Sequence, residues 1–187
     1  MMAKKSVKQD LFKFTREDFG ELPVKVLHMD LHFDVYDTET NVLSHFKIKS
    51  LKRQLKQLTL NAKNLEMLSV SCNKGEISWE YDKKNSLLII RCRKPIPPST
   101  EFIITTQNIT RPTKNILEGL YYDETPPGCP PTQITQCQQW GFQRLVPCID
   151  EMTAKCTYPT TITADERYTN IITHGDIAEP RKKIGKG

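Results

Sequence analysis

The sequence predicts an all-β protein, a saddle-like, multi-stranded β-sandwich of mostly antiparallel strands with no long helix. Three observations lead to this prediction. Apolar and polar residues alternate with a period of two in several segments, as in strands with one buried face. These strand-like segments recur at a spacing of about 8–12 residues, with turn residues between them. The chain has 187 residues and 37% hydrophobic content, enough for one substantial domain.

The first two strands are predicted to form a hairpin. Residues 37–41 read as its turn, and 42–48 return as the second strand. Residues 1–20 are polar and charged and are interpreted as a leader, so the β-domain is expected to span 21–187. The apolar positions that alternate along the first strand are Leu27, Met29, Leu31, Phe33 and Val35.

The segment 51–60 permits two structures. Leu51, Leu55 and Leu58 have helical spacing on a basic face, and propensity alone predicts a short amphipathic helix. The alternative is a strand, which depends on the family resemblance described below.

Further strands are predicted at 77–81, 86–92 and 101–106 because these segments are rich in β-branched, aromatic and other large apolar residues. The proline-rich connector at 94–99 cannot join a central ladder. Four prolines in 123–131 indicate an extended loop leading into 135–150. Strand character resumes after 158–165, and the family resemblance described below implies a strand end at 170–176.

Composition argues against several classes of protein. The net charge of +5 is mild, and the densest basic run has no interleaved stacking aromatics, so nucleic-acid binding is not expected. No apolar run approaches the ~20 residues of a membrane span, and no signal-peptide core follows the basic N-terminus. A cytoplasmic location is therefore expected, with six free cysteines rather than disulfides. The basic run comprises Lys47, Lys49, Lys52, Arg53 and Lys56.

Known catalytic motifs are missing from the sequence. No HExxH zinc motif, GxSxG elbow or phosphate-binding glycine loop occurs. His28 and His32 share one face of the predicted first strand, where a solvated surface is the preferred interpretation over a weak metal site. A nucleophilic pair of Cys137 and His174 has no local signature to support it.

The most informative segment is too polar for an ordinary core strand. It reads TQCQQWGFQR at 135–144 and continues with PCID at 147–150. EGLYY at 118–122 precedes it, and YPTTITAD at 158–165 follows. In order and spacing these motifs resemble the N-terminal domain of the aminopeptidase N family of zinc metallopeptidases, which also contains leukotriene A hydrolase. The resemblance also favours a strand–turn–strand over a helix at 58–70.

The resemblance implies a substrate site without a catalytic one. In the family, the second and fourth residues of the TQCQ motif bind the substrate's free α-amino group or line its first side-chain pocket. Here these are Gln136 and Gln138, and Cys137 between them completes the implied substrate-binding set. The partners implied are a peptide with a free N-terminus and a catalytic domain of the same polypeptide. That domain would hold the zinc, which polarises the carbonyl and activates a water.

This chain departs from the commonest family pattern at Gln138, where many members carry glutamate. The neutral amide and the PCID motif are more similar to the leukotriene hydrolase branch. This departure bears on substrate preference and not on the class of enzyme.

Alternatives to the enzyme-domain interpretation remain at this stage. The two glutamines would serve equally to satisfy backbone groups in a polar loop, and Arg144 and Asp150 are assigned such a structural role. The chain would then be a β-sandwich binding or scaffold module without catalysis. A carbohydrate-binding sandwich is less favoured, since the aromatic residues form no obvious platform. The basic tail at 181–187 ends in the middle of a pattern, which suggests a longer protein.

Overall fold

The computed structural model describes residues 20–51 and 54–185. Within these ranges the chain forms ten strands and a single 3-10 helix, Phe142–Arg144. The predicted leader lies almost wholly outside the described residues. The strands are β1 (Val24–Val35), β2 (Thr40–Ser50), β3 (Leu55–Asn61), β4 (Glu66–Cys72), β5 (Ile77–Asp82), β6 (Leu87–Ile96), β7 (Glu101–Thr110), β8 (Gly119–Asp123), β9 (Thr132–Gln136) and β10 (Thr160–Ala164).

The strands form three sheets. The largest has the order β10-β1-β2-β7-β4, the second β3-β6-β5, and the third is the hairpin β8-β9. All ladders are antiparallel except the one between β10 and β1. The predicted all-β, mostly antiparallel fold class is confirmed. None of the helical structure in the described residues is long and apolar enough to cross a membrane.

A β-bulge in strand β1 changes which of its residues face the core. The pairing with β2 shifts between Val26 and His28. Because the side-chain period is two, the extra residue moves the buried set from Val24 and Val26 to Met29 and Leu31. The sequence pattern placed Leu27 in the core-facing row. That assignment is wrong, since Leu27 is the bulged residue and is only half-buried.

The segment 51–60 contains a strand, and the helix suggested by propensity is wrong. β3 pairs antiparallel with β6 from Leu55 to Asn61. Leu58 and Leu60 are 1% exposed while Thr59 between them is exposed, as a period of two requires. Burial against β6 therefore outweighs the helical spacing of the leucines.

The strand end expected at 170–176 does not form. These residues are exposed, and no strand in the described part of the chain lies beside them. A strand without a neighbouring ladder leaves its backbone groups to water and gains no cross-strand contacts. The chain just before this segment is held by Asp37, whose carboxylate accepts hydrogen bonds from Arg167 and the Tyr168 hydroxyl.

We expect the contact at Asp37 to stabilise the domain only above acidic pH. Hydrogen bonds from Tyr168 and Arg167 lower the pKa of the Asp37 carboxyl. A lowered folded-state pKa contributes stability above the unfolded pKa of about 3.9, and this stability is lost as pH falls through the folded value. Urea unfolding of the parent and of Asp37→Asn should show a constant difference from pH 5 to 7 that vanishes on acidification. A difference that persists below the folded pKa would contradict this assignment.

Candidate functional site

The inner face of the large sheet changes from apolar to polar along β2 and β7. Where the apolar half ends, buried hydroxyl and amide side chains follow isoleucine and phenylalanine. Two of them hold a loop: Asn108 Nδ2 donates to the Leu145 carbonyl at 3.0 Å, and Thr110 Oγ1 donates to the Arg144 carbonyl at 2.8 Å. The buried polar residues of this polar half are Thr40, Ser44, Thr106, Asn108 and Thr110.

The loop 141–150 is also attached to the end of β3. Asn61 N donates to the Cys148 carbonyl at 2.7 Å, and Cys148 N donates to the Asn61 carbonyl at 3.0 Å. The Asn61 side chain accepts from Asp150 N at 3.1 Å. Val146, between these anchors, is fully buried. Both sheets therefore fix the position of this loop.

The hairpin β8-β9 carries the other half of the candidate site. Its ladder ends where Gly119 pairs with Gln136. Gln133 Nε2 donates to the Tyr36 carbonyl at 2.9 Å, and the Tyr122 hydroxyl donates to the Asp37 carbonyl. These bonds tie the hairpin to the β1–β2 turn, so Gln136 stands on a supported strand end.

The TQCQ segment folds back on itself directly after β9. Gln136 Nε2 donates to the Gln138 carbonyl at 3.1 Å, and Gly141 N donates to the Cys137 carbonyl at 2.9 Å. The Gln138–Gln139 peptide is cis, and Trp140 has a φ of +57°. The donor end of the Gln136 amide is thus occupied inside the loop, and its carbonyl oxygen is the end left to accept a hydrogen bond.

The structure brings Gln136, Cys137 and Gln138 together on this one loop. Gln136 is half-buried, whereas Cys137 and Gln138 are exposed. No described residue makes a hydrogen bond to the Gln138 side chain. The structural alternative, in which the glutamines satisfy backbone groups, therefore holds for Gln136 alone. Their role in substrate binding stays a prediction.

The thiol of Cys137 is poorly suited to nucleophilic chemistry. Although the residue as a whole is exposed, desolvation of its sulfur and the neighbouring Asp150 charge raise the pKa of this thiol. The pKa of the buried Cys148 thiol is also raised, chiefly by burial. Since the thiolate is the nucleophile, both sulfurs are protonated at neutral pH. The pKa of the Asp150 carboxyl is raised by burial, against which hydrogen bonds from Gln143 act.

Arg144 joins the loop to strand β8. Its side chain is 10% exposed, and its Nε lies 2.9 Å from Glu118 Oε2. It packs over Gly119, where φ is +71° and an added Cβ would lie 2.6 Å from the Arg144 Cβ. Glycine at this position permits both the backbone angle and the close approach of the arginine.

No group of three histidine, cysteine or carboxylate side chains in the described chain could hold a metal ion. The two histidines of strand β1 have separate partners: His28 Nδ1 lies 2.6 Å from Thr157 Oγ1, and His32 Nε2 lies 3.5 Å from Asp30 Oδ1. The described residues therefore do not fit the zinc ion implied by the family resemblance.

Comparison with known proteins identifies the family. Residues 25–183 match the model of the peptidase M1 N-terminal domain. The chain belongs to the peptidase M1 family. It is 22% identical over 163 residues to leukotriene A-4 hydrolase of Xenopus laevis, covering 83% of this chain and 27% of the relative. It is 25% identical over 163 residues to aminopeptidase N of Haemophilus influenzae, covering 86% and 18% respectively.

The M1 assignment confirms the resemblance carried by the sequence motifs. The chain spans about a quarter or less of the length of these curated relatives. The activity of a whole protein built on this M1 domain is therefore a matter for proposal.

Sequence analysis missed the residues that support the site. Asn61, Asn108 and Thr110 anchor the loop from two different sheets. A signal for two of them exists: Asn108 and Thr110 are polar residues at core-facing positions of a period-two strand. Buried polar groups need hydrogen-bond partners, so such positions indicate a segment packed against the sheet.

Proposed function

We propose that this M1 domain forms one wall of the substrate cleft of a zinc-dependent aminopeptidase that removes N-terminal residues from peptides. Gln136 and Gln138 would provide acceptors for the free α-amino group, with Cys137 lining the same surface. The observation that carries the proposal is the Gln136 Nε2 bond to the Gln138 carbonyl. This bond uses the amide nitrogen of Gln136 and leaves its amide oxygen without a hydrogen bond among the described residues.

The chemistry of an ammonium group suits this arrangement. An ammonium has three N–H donors and no acceptor, so it needs fixed oxygens. Amide oxygens accept these bonds without the charge of a carboxylate. A substrate with a free amine would therefore bind more weakly here than at a glutamate-bearing site, and each remaining bond would still be charge-assisted.

The remainder of the enzyme is also part of the proposal. The described residues do not fit zinc, so a zinc ion would be bound elsewhere in the whole protein, and this chain alone would be inactive. Exposed apolar side chains next to the anchored loop, Trp140 at 62% and Met152 at 75%, suit an interface with a catalytic domain of the same polypeptide. The six cysteines of the described chain are free, which supports a cytoplasmic location.

Replacing Gln138 by alanine in the complete protein should selectively impair cleavage of free-amine peptides. A hydrogen bond to a charged group is worth about 1.5–3 kcal/mol, so kcat/KM should fall roughly 10- to 100-fold. Gln139→Ala, one residue along the same exposed loop, is the matched control and should have little effect. Steady-state kinetics with each peptide and its N-acetylated form would measure the effects of both substitutions.

The N-acetyl peptides separate the roles of Gln138. They lack the ammonium, so their hydrolysis should respond far less to Gln138→Ala, and Gln138→Glu should improve binding of free amines alone. Equal losses on both peptide classes would show that Gln138 only maintains the loop. No effect on either would favour a scaffold module that lacks a substrate role.

A further inference from the structure

The two larger sheets have four edge strands, and three of these are protected against further pairing. β4 has a bulge between Met67 and Ser69, and β5 carries Glu80 and Asp82. β3 has an irregular register at its start, and its other end is paired with Cys148. Bulges, charges and covering loops are the usual devices that stop an edge from accepting another strand.

The fourth edge, β10, has none of these devices. Its register with β1 runs without interruption from Thr160 to Ala164. The strand consists of Thr-Thr-Ile-Thr-Ala, which contains no charge and no proline and is rich in β-branched residues. Such a segment has high strand propensity and is open to pairing.

The hydrogen bonds to β1 define which groups of β10 face outward. Leu31 N donates to the Pro159 carbonyl at 2.9 Å, and Met29 N donates to the Thr157 carbonyl at 3.0 Å. With a period of two, the odd-numbered residues of β10 direct their backbone groups toward β1. The N–H and C=O groups of Thr160, Ile162 and Ala164 therefore face away. No backbone group in 20–51 or 54–185 bonds to them.

We infer that this outer edge of β10 accepts an extended strand supplied by the polypeptide that follows this domain in a protein of the relatives' length. β10 is the last strand of the described residues, and strands that are consecutive in sequence are usually neighbours in a sheet. The M1 relatives have most of their length outside the matched region. The inference rests on family membership and is independent of the proposed role of the glutamines.

The chemistry of the incoming strand follows from the two faces of β10. Ile162 lies on the face of Phe33, directly opposite it in the register, and this face continues the core. Thr161 and Thr163 lie on the opposite face, beside His32 and Asp34. The incoming strand should therefore alternate apolar residues, facing the Ile162 side, with polar residues facing the threonines.

Residue-resolved amide hydrogen exchange tests the inference without any activity assay. In the 187-residue chain, the amides of Thr161 and Thr163 should be protected, and those of Ile162 and Ala164 should exchange rapidly. In the whole protein, protection of Ile162 and Ala164 should rise at least about tenfold. Unchanged rapid exchange in the whole protein would overturn the inference. Protection of the Ile162 and Ala164 amides already in the 187-residue chain would also overturn it. Sedimentation would then show whether a second copy of the chain or the chain's own residues cover this edge.

Two substitutions at one position give an independent test. Ile162→Pro removes the outward N–H and is tolerated on an edge strand, whereas Ile162→Ala keeps the N–H and removes most of the side chain. In the 187-residue chain the two variants should lower Tm similarly. In the whole protein the proline variant should lower Tm clearly more than the alanine variant. Equal shifts in the whole protein would contradict pairing at this edge.

Discussion

Replacing Gly141 by alanine should destabilise the domain by about 3 kcal/mol, the upper end of the usual cost of overpacking. An added Cβ would lie 2.1 Å from the Gln136 carbonyl oxygen, 2.9 Å from Gly119 N and 3.0 Å from Cys137 Cα. All three atoms belong to backbone, so no side-chain rotation relieves the clash. The free energy of unfolding from urea denaturation, followed by fluorescence, measures the effect.

The clash at Gly141 is separable from any effect of glycine's flexibility. Gly141 has helical backbone angles, φ −78° and ψ −21°, which alanine adopts readily. Gly20 has no heavy atom within 4 Å of its ideal Cβ and serves as the control, with an expected change within about 0.5 kcal/mol for Gly20→Ala. A Gly141→Ala domain as stable as its parent would mean that the loop does not fold back on the end of β9.

Replacing Asn108 by alanine should destabilise the domain by about 2–3 kcal/mol. Asn108 is fully buried, and its Nδ2 provides the side-chain donor to the Leu145 carbonyl. Removal of the donor leaves a buried carbonyl unsatisfied, which costs about 1–3 kcal/mol, and the lost side-chain volume adds to this. Chemical denaturation measures the total.

Gln107→Ala is the matched control for Asn108. Gln107 is the preceding residue of β7, is exposed, and bonds only the Ser69 hydroxyl, at 2.9 Å. Its replacement should change stability by no more than about 0.5 kcal/mol. Similar effects of the two substitutions would show that Asn108 does not anchor the loop. In the whole protein, Asn108→Ala should also raise KM for free-amine peptides, because the loop 141–150, at whose first residue the turn of the glutamines ends, would move.

Sequence patterns predicted the strands best where local rules and tertiary packing agree. β2, β5 and β7 lie where alternation and turn residues place them, and the β1–β2 turn follows the predicted position. β6 begins as predicted but continues to Ile96, which pairs with Leu55, so the expectation that the connector at 94–99 stays outside a central ladder is wrong. The pattern went wrong at Leu27 and at 170–176. A bulge adds one residue without altering the period of the sequence, and a strand-forming segment remains unpaired when no neighbour is available.

The candidate site was predictable only in part. The order of short motifs pointed to Gln136, Cys137 and Gln138, and to the M1 family. The partners that hold their loop were not predictable, because Asn61 and Asn108 approach it from strands more than 35 residues earlier in the chain. Hydrogen bonds over such separations produce no local pattern in the sequence from which they could be predicted.

The sequence by itself determined the all-β class, the family and the identity of the loop that carries the glutamines, since these depend on composition, alternation and motif order. Tertiary structure alone decided which face of β1 is buried and which edge strand stays open. Each of these depends on a choice between two equivalent local states. Contacts between distant segments, through directed hydrogen bonds and close packing, select one of the two.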